Sequence, residues 1–333
     1  MSRLVDRYDL VIFDLDGVIY LIDKPIAGAS ETVERLRAGG TAVAYVTNNA
    51  SRRAADVAGL LSGMGVAATA GEVLTSAGAA AAMLARDLPG GARVLVVGAA
   101  ALEDEIRDAG LTPVDRFEDT PAAVVQGYGP DVGWRILAEA ALSVRAGAKW
   151  VATNTDRTLP SPRGPLPGNG SLVAVLRTAL NREPDVVVGK PQPALFTTAA
   201  SLSNARHPLT VGDRLDTDIE GAVKAGMDSL LVLTGVSGPG ELLAAPAERR
   251  PTYVAADLSA LFQPADVARI PRREAGELGG WRLVRDDSTV ALDGRGAPVD
   301  ALRLLCAPAW NGAKIRAASE AAAQVLDDWS LTG

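Results

Sequence analysis

Cysteine and histidine occur once each, as Cys306 and His207, in a chain of 333 residues. A lone cysteine excludes an intrachain disulfide, which fits a reducing compartment. It is expected as a small buried apolar side chain. A lone histidine excludes a zinc site built on several imidazoles. His207 precedes Pro208 at the start of an apparent strand and reads as a surface residue. Positive charge is also in deficit: 33 Lys and Arg stand against 40 Asp and Glu, a formal net charge of −7. Nucleic-acid binding needs a basic surface to displace counterions, so no nucleic-acid partner is expected. No stretch approaches the ~20 apolar residues of a membrane helix. Met1 to Tyr8 is charged, and the apolar run after it is broken by Asp14 and Asp16, unlike a secretory leader. The expectation is a cytoplasmic protein with no membrane partner.

Hydrophobic residues make up 48% and charged residues 22%, the mixture of a globular chain. Its length predicts more than one domain. Short apolar runs alternate with helical patterns. Leu10–Phe13 reads as a strand, Ser30–Ala38 as a helix ended by Gly39-Gly40, and Ala42–Val46 as the next strand. Ser51 then caps a helix carrying Val57, Leu60, Leu61 and Met64. This rhythm implies a parallel sheet covered by helices. A second α/β unit runs from near Thr75–Ala82 to Asn181–Pro184 and contains a loop rich in Pro and Gly, Asn154 to Gly170. Strands at Val186–Val188, Leu209–Val211 and Ser229–Leu233 resume the first pattern. The middle unit therefore looks inserted, as covers that open and close over a site are. After Leu261 the texture changes. Gln263–Gly280 reads as a linker, and Trp281–Arg285 and Thr289–Leu292 flank Asp286-Asp287-Ser288 as a hairpin. Two helices follow, around Val299–Trp310 and Ala317–Trp329. So short a tail is expected to pack on the body, with Trp281, Trp310 and Trp329 as anchors.

Four polar groups each follow a predicted parallel strand, where open α/β sheets bind ligands. They are Asp14-Leu15-Asp16-Gly17, Thr47-Asn48-Asn49, Lys190-Pro191, and Gly212-Asp213 with Asp218. Their chemistry is coherent. A carboxylate, Asp14, can attack phosphorus and form an acyl phosphate. Both reactants are anionic, so a Mg²⁺ ion held by oxygen ligands is expected, with Asp14 and Asp213 as natural carboxylates. Lys190 can balance charge on the phosphate, and Thr47 and Asn48 offer hydroxyl, amide and backbone donors to phosphoryl oxygens. Asp16 can protonate the leaving alkoxide and then deprotonate the attacking water.

The motifs DLDG at 14–17, TNN at 47–49, GKP at 189–191 and GDRLDTD at 212–218 resemble those of the haloacid dehalogenase superfamily, from about Asp9 to Leu261. The resemblance implies Asp14 as nucleophile and Asp16 as acid/base, the latter's carbonyl also a metal ligand. It implies Thr47 and Lys190 at the phosphate, Asp213 on Mg²⁺, and Asp218 behind it or reaching it through water. Asp216 is expected to cap a helix. An insertion between the Thr47 and Lys190 motifs resembles subclass IIA, the group of nucleotide, p-nitrophenyl and pyridoxal phosphatases, and ATNTD at 152–156 and PGNGS at 167–171 look like its cap signatures. The expected fold class is α/β: a Rossmann-like parallel sheet core with an inserted α/β cap domain and a small C-terminal α+β extension. Expected boundaries are core 1–78, cap 79–182, core 183–262, and linker with extension 263–333.

Arg157-Thr158-Leu159 in the cap loop offers no aromatic ring, which disfavours a flat aromatic leaving group. Arg157 and Arg163 read as solvated loop charges. Asn154, Asp156 and Asn169 are candidates for binding substrate hydroxyls, and equally for shaping the loop. The stretches 116–127, 158–171 and 211–222 are similar to the actinobacterial glycerol 3-phosphate phosphatases, which implies a small phosphate monoester, glycerol 3-phosphate, as substrate. Alternatives are phosphoglycolate, a nucleoside monophosphate or pyridoxal 5′-phosphate, a phosphotransferase reaction, or a non-catalytic binding role. In the phosphatases this chain resembles, a C-terminal extension is similar to part of an acetyltransferase fold; residues 266–333 here have no glycine-rich pyrophosphate-binding loop, so acetyl transfer is not expected. A homo-oligomer is compatible with the sequence.

Overall fold

The computed structural model describes residues 2–22, 24–271, 273–286 and 289–331. The chain forms two compact units. The first comprises Met1–Leu21, Pro25–Val43 and Ser203–Gly333, and the second Ile22–Lys24 and Ala44–Leu202.

In the first unit, parallel strands run in the order Tyr253–Ala255, Asp228–Val232, Pro208–Gly212 and Leu10–Phe13. Their register pairs Phe13 with Val211, Val211 with Leu230 and Leu230 with Tyr253. Leu10, Val11, Ile12 and Phe13 are all buried. An apolar run without alternation is what a strand covered on both faces requires. The Ala29–Ala38 helix buries Ala29, Val33 and Leu36 and ends at Gly39-Gly40. Gly40 there has a φ of 77°, a turn that glycine adopts at little cost.

Residues 263–333 belong to this same unit. The Trp281–Asp286 and Thr289–Gly294 strands pair antiparallel as the hairpin pattern predicts. Asp287 and Ser288, in the expected turn, lie outside the described residues. The tail departs from expectation after Trp310. Lys314–Ala317 is a strand, parallel to Thr289–Gly294, and the last helix is Glu320–Asp328. Lys314, Ile315, Arg316 and Ala317 alternate between exposed and half-buried, the two-residue period of a strand. Ser319 caps the helix by accepting the Ala322 N–H at 3.3 Å. The expected linker also packs, burying Ala265, Ala268 and Ile270. Trp281, Leu292, Leu302, Leu305 and Cys306 form one core with Leu215, Ile219, Leu231, Leu242 and Val254, and Trp310 and Trp329 pack against it. The tail is thus held by apolar burial. Burial also holds the Cys306 thiol pKa far above its ordinary value.

In the second unit five parallel strands run in the order Val186–Val187, Lys149–Ala152, Ala123–Gln126, Arg93–Val97 and Thr112–Val114. The last escapes the sequence pattern because it is short and contains Pro113. A proline inside a strand is suited to a sheet edge, where this strand lies. Helices cover both faces. Val94, Val96 and Val125 pack with Ala77, Leu84, Leu102 and Ile106. Leu95, Val97 and Val124 pack with Leu137, Val144, Val173 and Leu176. The Ala42–Thr47 strand enters this unit at Ala44 and pairs with Val73–Thr75, Tyr45 opposite Val73 and Thr47 opposite Thr75. The following helix is Ala54–Gly63, and Arg53, not Ser51, stands at its start. Asp56 accepts the Arg53 N–H at 3.2 Å, while Ser51 turns back and donates its N–H to Asn49 Oδ1 at 2.7 Å. Among the described residues no helix is long and apolar enough to cross a membrane.

Candidate active site

The first unit gathers carboxylates. Asp14 leaves the Leu10–Phe13 strand and donates its N–H to Val211 O at 2.9 Å, so it stands beside the end of the neighbouring strand. That strand ends in Gly212-Asp213, and Asp218 follows in a wide turn over Leu215–Ile219. Asp14, Asp213 and Asp218 are all buried, and each offers a carboxylate oxygen within 4.8 Å of the others. Three buried like charges at this spacing are costly without a cation. An all-oxygen set of this kind suits Mg²⁺, which takes hard carboxylate ligands. Asp16 is half-buried on the turn that closes when Gly17 donates its N–H to Tyr20 O at 2.8 Å.

Several small residues make this packing possible. Gly17 has a φ of +85°, and a Cβ there would lie 2.6 Å from Asp213 Cγ. A Cβ on Gly212 would come within 2.5 Å of Asp218 Cγ. The sequence reading missed the loop after Asp228–Val232. In it Val236 donates its N–H to Asp213 Oδ2 at 2.7 Å, and Thr234 donates its hydroxyl to Gly17 O at 2.6 Å. The signal was present as Thr-Gly-Val-Ser-Gly directly after a strand. A Cβ on Gly235 would lie 2.5 Å from Asp213 Cγ, so this loop closes directly on the carboxylate.

Asp216 is not the helix cap. Its carboxylate takes the Arg214 guanidinium at 3.0 and 2.9 Å, while Asp218 accepts the Arg214 backbone N–H at 3.1 Å. Burial pushes the Asp216 carboxyl up, but the bonds from Arg214 outweigh it and hold it below its usual range.

The second unit brings Thr47, Asn48, Lys190, Asn154, Asp156 and Asn169 together. All but Asp156, which is half-buried, are buried. Asn48 is the hub. Its Oδ1 accepts the Lys190 N–H at 2.7 Å, and its Nδ2 donates to Lys190 O at 3.1 Å and to the Asp156 carboxylate at 3.1 and 3.2 Å. The Asn48 amide, expected as a phosphate donor, is therefore committed inside the protein. The three residues considered for hydroxyl recognition are tied into the same network. Asn154 Nδ2 donates to Asn48 O at 2.7 Å, and Asn169 Nδ2 donates to Asn154 O at 2.7 Å. Ser76, wholly buried and missed by the sequence reading, donates its hydroxyl to Asn48 O at 2.6 Å. Arg157 and Arg163 are exposed, as expected of loop charges. So is His207.

Comparison with known proteins bears on this arrangement. Residues 11–112 match the model of the haloacid dehalogenase-like hydrolases, 187–261 match a second hydrolase model of that superfamily, and 278–331 match a GCN5-related N-acetyltransferase-like domain. The chain is 43% identical to the D-glycerol 3-phosphate phosphatase of Mycobacterium tuberculosis, over 99% of this chain and 96% of that one. It is 35% identical to an acid sugar phosphatase of Staphylococcus saprophyticus, over 77% and 98%. The crystal structure of the glycerol phosphate phosphatase of M. tuberculosis in complex with magnesium aligns at a TM-score of 0.92 and 44% identity, covering 100% of each chain. A 4-nitrophenylphosphatase of Thermotoga maritima aligns at 0.73 and 31% identity, covering 78% of this chain and 98% of that one.

Proposed function

Because the chain belongs to the haloacid dehalogenase-like hydrolases, we propose that it is a Mg²⁺-dependent phosphatase of subclass IIA that hydrolyses glycerol 3-phosphate. The buried cluster of Asp14, Asp213 and Asp218 carries this reading. The donor set fits a hard divalent cation, and the relative with magnesium aligns over its full length. Asp14, Asp213 and the Asp16 carbonyl would hold the ion, with Asp218 behind them or reaching it through water. Bound there, Mg²⁺ neutralises charge between the phosphate and its attacker.

Asp14 attacks phosphorus, and the bond to the leaving alkoxide breaks. Asp16 gives that alkoxide its proton, so glycerol departs neutral and Asp14 carries the phosphoryl group. Asp16 then takes a proton from water. The water oxygen bonds to phosphorus, the acyl–phosphate bond breaks, and Asp14 returns as a carboxylate with inorganic phosphate released. Thr47 and Lys190 hold phosphoryl oxygens throughout, the Thr47 hydroxyl and the Lys190 ammonium serving as donors. Residues 1–78 with 183–262 make the catalytic core in this reading, and 79–182 make the cap that selects the monoester. A cytoplasmic setting is part of this reading, and a chain with a single cysteine, Cys306, fits it. A homo-oligomer is compatible with it.

The experiment is phosphate release with and without Mg²⁺ from glycerol 3-phosphate, phosphoglycolate, UMP, pyridoxal 5′-phosphate and p-nitrophenyl phosphate. The highest kcat/KM is expected for glycerol 3-phosphate. A higher value for another monoester overturns the substrate. Phosphate release from none of them overturns the enzyme.

A further inference from the structure

We infer that Asn48 is a positioning residue of this reaction, acting through the backbone of Lys190 and locked in place by Asp156. The inference rests on the phosphate-binding role given to Lys190 above.

Its basis is a two-point contact. Asn48 Oδ1 accepts the Lys190 N–H at 2.7 Å while Nδ2 donates to Lys190 O at 3.1 Å. One side-chain amide thus grips both polar groups of one residue, as a neighbouring strand would. The remaining hydrogen of Nδ2 faces the Asp156 carboxylate at 3.1 and 3.2 Å. This network fixes the amide orientation. Turning it over would set NH₂ against the Lys190 N–H and an oxygen against both Lys190 O and the Asp156 carboxylate, three repulsive contacts in place of attractive ones. A bond to an ionised acceptor is also stronger than one between neutral groups, so Asp156 is the pin that holds Asn48.

The surroundings leave the grip little slack. Gly189 directly precedes Lys190, and a Cβ there would lie 2.5 Å from Asn48 Oδ1 and 2.6 Å from Thr153 O. Asn48 is fixed from its main chain as well, its carbonyl accepting Ser76 Oγ at 2.6 Å and Asn154 Nδ2 at 2.7 Å. Asn154 Oδ1 in turn accepts the Asp156 N–H at 3.1 Å, which closes the ring of bonds on the cap loop. Asn48 and Lys190 are 8% and 3% exposed, so water does not compete effectively for these groups. Residues that read as recognisers of substrate hydroxyls therefore set the position of an ammonium. Displacement of a positioned group by an ångström is costly to catalysis even when the group itself is intact.

The test is a mutant cycle read by two probes, kcat/KM for p-nitrophenyl phosphate and the Kd of inorganic phosphate. Neither depends on which natural monoester is cleaved. Asn48→Ala should raise the phosphate Kd and lower kcat/KM, each by about tenfold or more. Lys190→Met should lose at least as much. Adding Asn48→Ala to Lys190→Met should then change either probe less than twofold, because the ammonium being placed is gone. The exchange variant Asn48→Asp with Asp156→Asn restores a donor–acceptor pair with the charge moved, and should recover several-fold over Asn48→Asp alone. A merely structural role would make the Asn48 and Lys190 losses multiply and leave the exchange without benefit, and either result overturns the proposal. Urea midpoints taken alongside separate loss of fold from loss of placement. Phosphate binding indifferent to Lys190→Met would remove the role given to Lys190 and this proposal with it. A preference for a monoester other than glycerol 3-phosphate would correct the substrate and leave the cycle standing.

Discussion

Val236 donates its backbone N–H to Asp213 Oδ2 at 2.7 Å, so a loop far along the chain from the DLDG motif holds one of the three clustered carboxylates. Outer partners of this kind orient a metal ligand and tune its affinity. Gly235, the preceding residue, would place a Cβ 2.5 Å from Asp213 Cγ. Gly235→Ala should therefore raise the Mg²⁺ concentration for half-maximal activity by about tenfold or more. A magnesium titration of phosphate release checks this, and an unchanged midpoint would show that the loop yields without moving Asp213.

The proposed nucleophile can be tested with the smallest change of shape. Asp14→Asn keeps the size and removes the attacking oxygen, so kcat should fall by at least about a thousandfold. Retained turnover would exclude an aspartyl-phosphate on Asp14. Trapping a phosphorylated enzyme by acid quench, present in the wild type and missing from the variant, gives the positive readout.

Removing divalent ions with EDTA should silence the enzyme, and excess Mg²⁺ should restore it. Ca²⁺ accepts a larger and looser shell of oxygens, so it should compete for the carboxylates without supporting comparable turnover. Far-ultraviolet circular dichroism should scarcely change on chelation, because the core around these residues is apolar. Activity in thoroughly chelated protein would refute the assignment of the cluster.

Much of this site was legible because its chemistry follows strand ends directly in the chain. Asp14 comes one residue after Phe13 and Asp213 one residue after Gly212, so locating the strand located the carboxylate. The grip on Lys190 was not legible, since Asn48 and Lys190 are 142 residues apart and only folding brings amide to backbone. Ser51 misled because a hydroxyl residue before an apolar helix is the usual capping signal, and here Asn49 Oδ1 captured it first. The Lys314–Ala317 strand was not legible: it falls between the two helices expected at Val299–Trp310 and Ala317–Trp329, and four alternating residues are too short a pattern to mark a strand there.

Glu220, only 9% exposed, takes the Lys224 ammonium at 2.7 Å and Arg249 Nε at 2.8 Å. Burial pushes its carboxyl up, but these bonds outweigh it and hold the pKa below the ordinary value of 4.5. A depressed carboxyl adds stability above its unfolded pKa and loses it as pH falls through the folded one. Both partners are more than a third exposed, so solvent screens the gain. Glu220→Gln should cost about 1 kcal/mol at pH 7 in urea unfolding. That difference from wild type should shrink as pH drops below the ordinary value of 4.5. A gap that holds or widens there would show that the pair is not what the substitution removed.

Trp281 is 2% exposed and donates its indole N–H to Ala297 O at 3.0 Å. Trp281→Ala should cost about 3–5 kcal/mol, measured by the shift in the urea midpoint. Because its core also contains Leu215 and Leu231, the loss should appear in one cooperative transition of this unit and not as separate melting of the tail.

The seclusion of Cys306 has a practical consequence for following this enzyme at work. Its side chain is 0% exposed and its thiol is held protonated by burial, so maleimide and iodoacetamide reagents find almost no thiolate to attack. A cysteine engineered onto an exposed position, such as Arg163 in the cap loop, would be the one readily labelled sulfur in the molecule. Fluorophores or spin labels could then be attached singly to the native chain, with no need first to replace a cysteine on which the core depends.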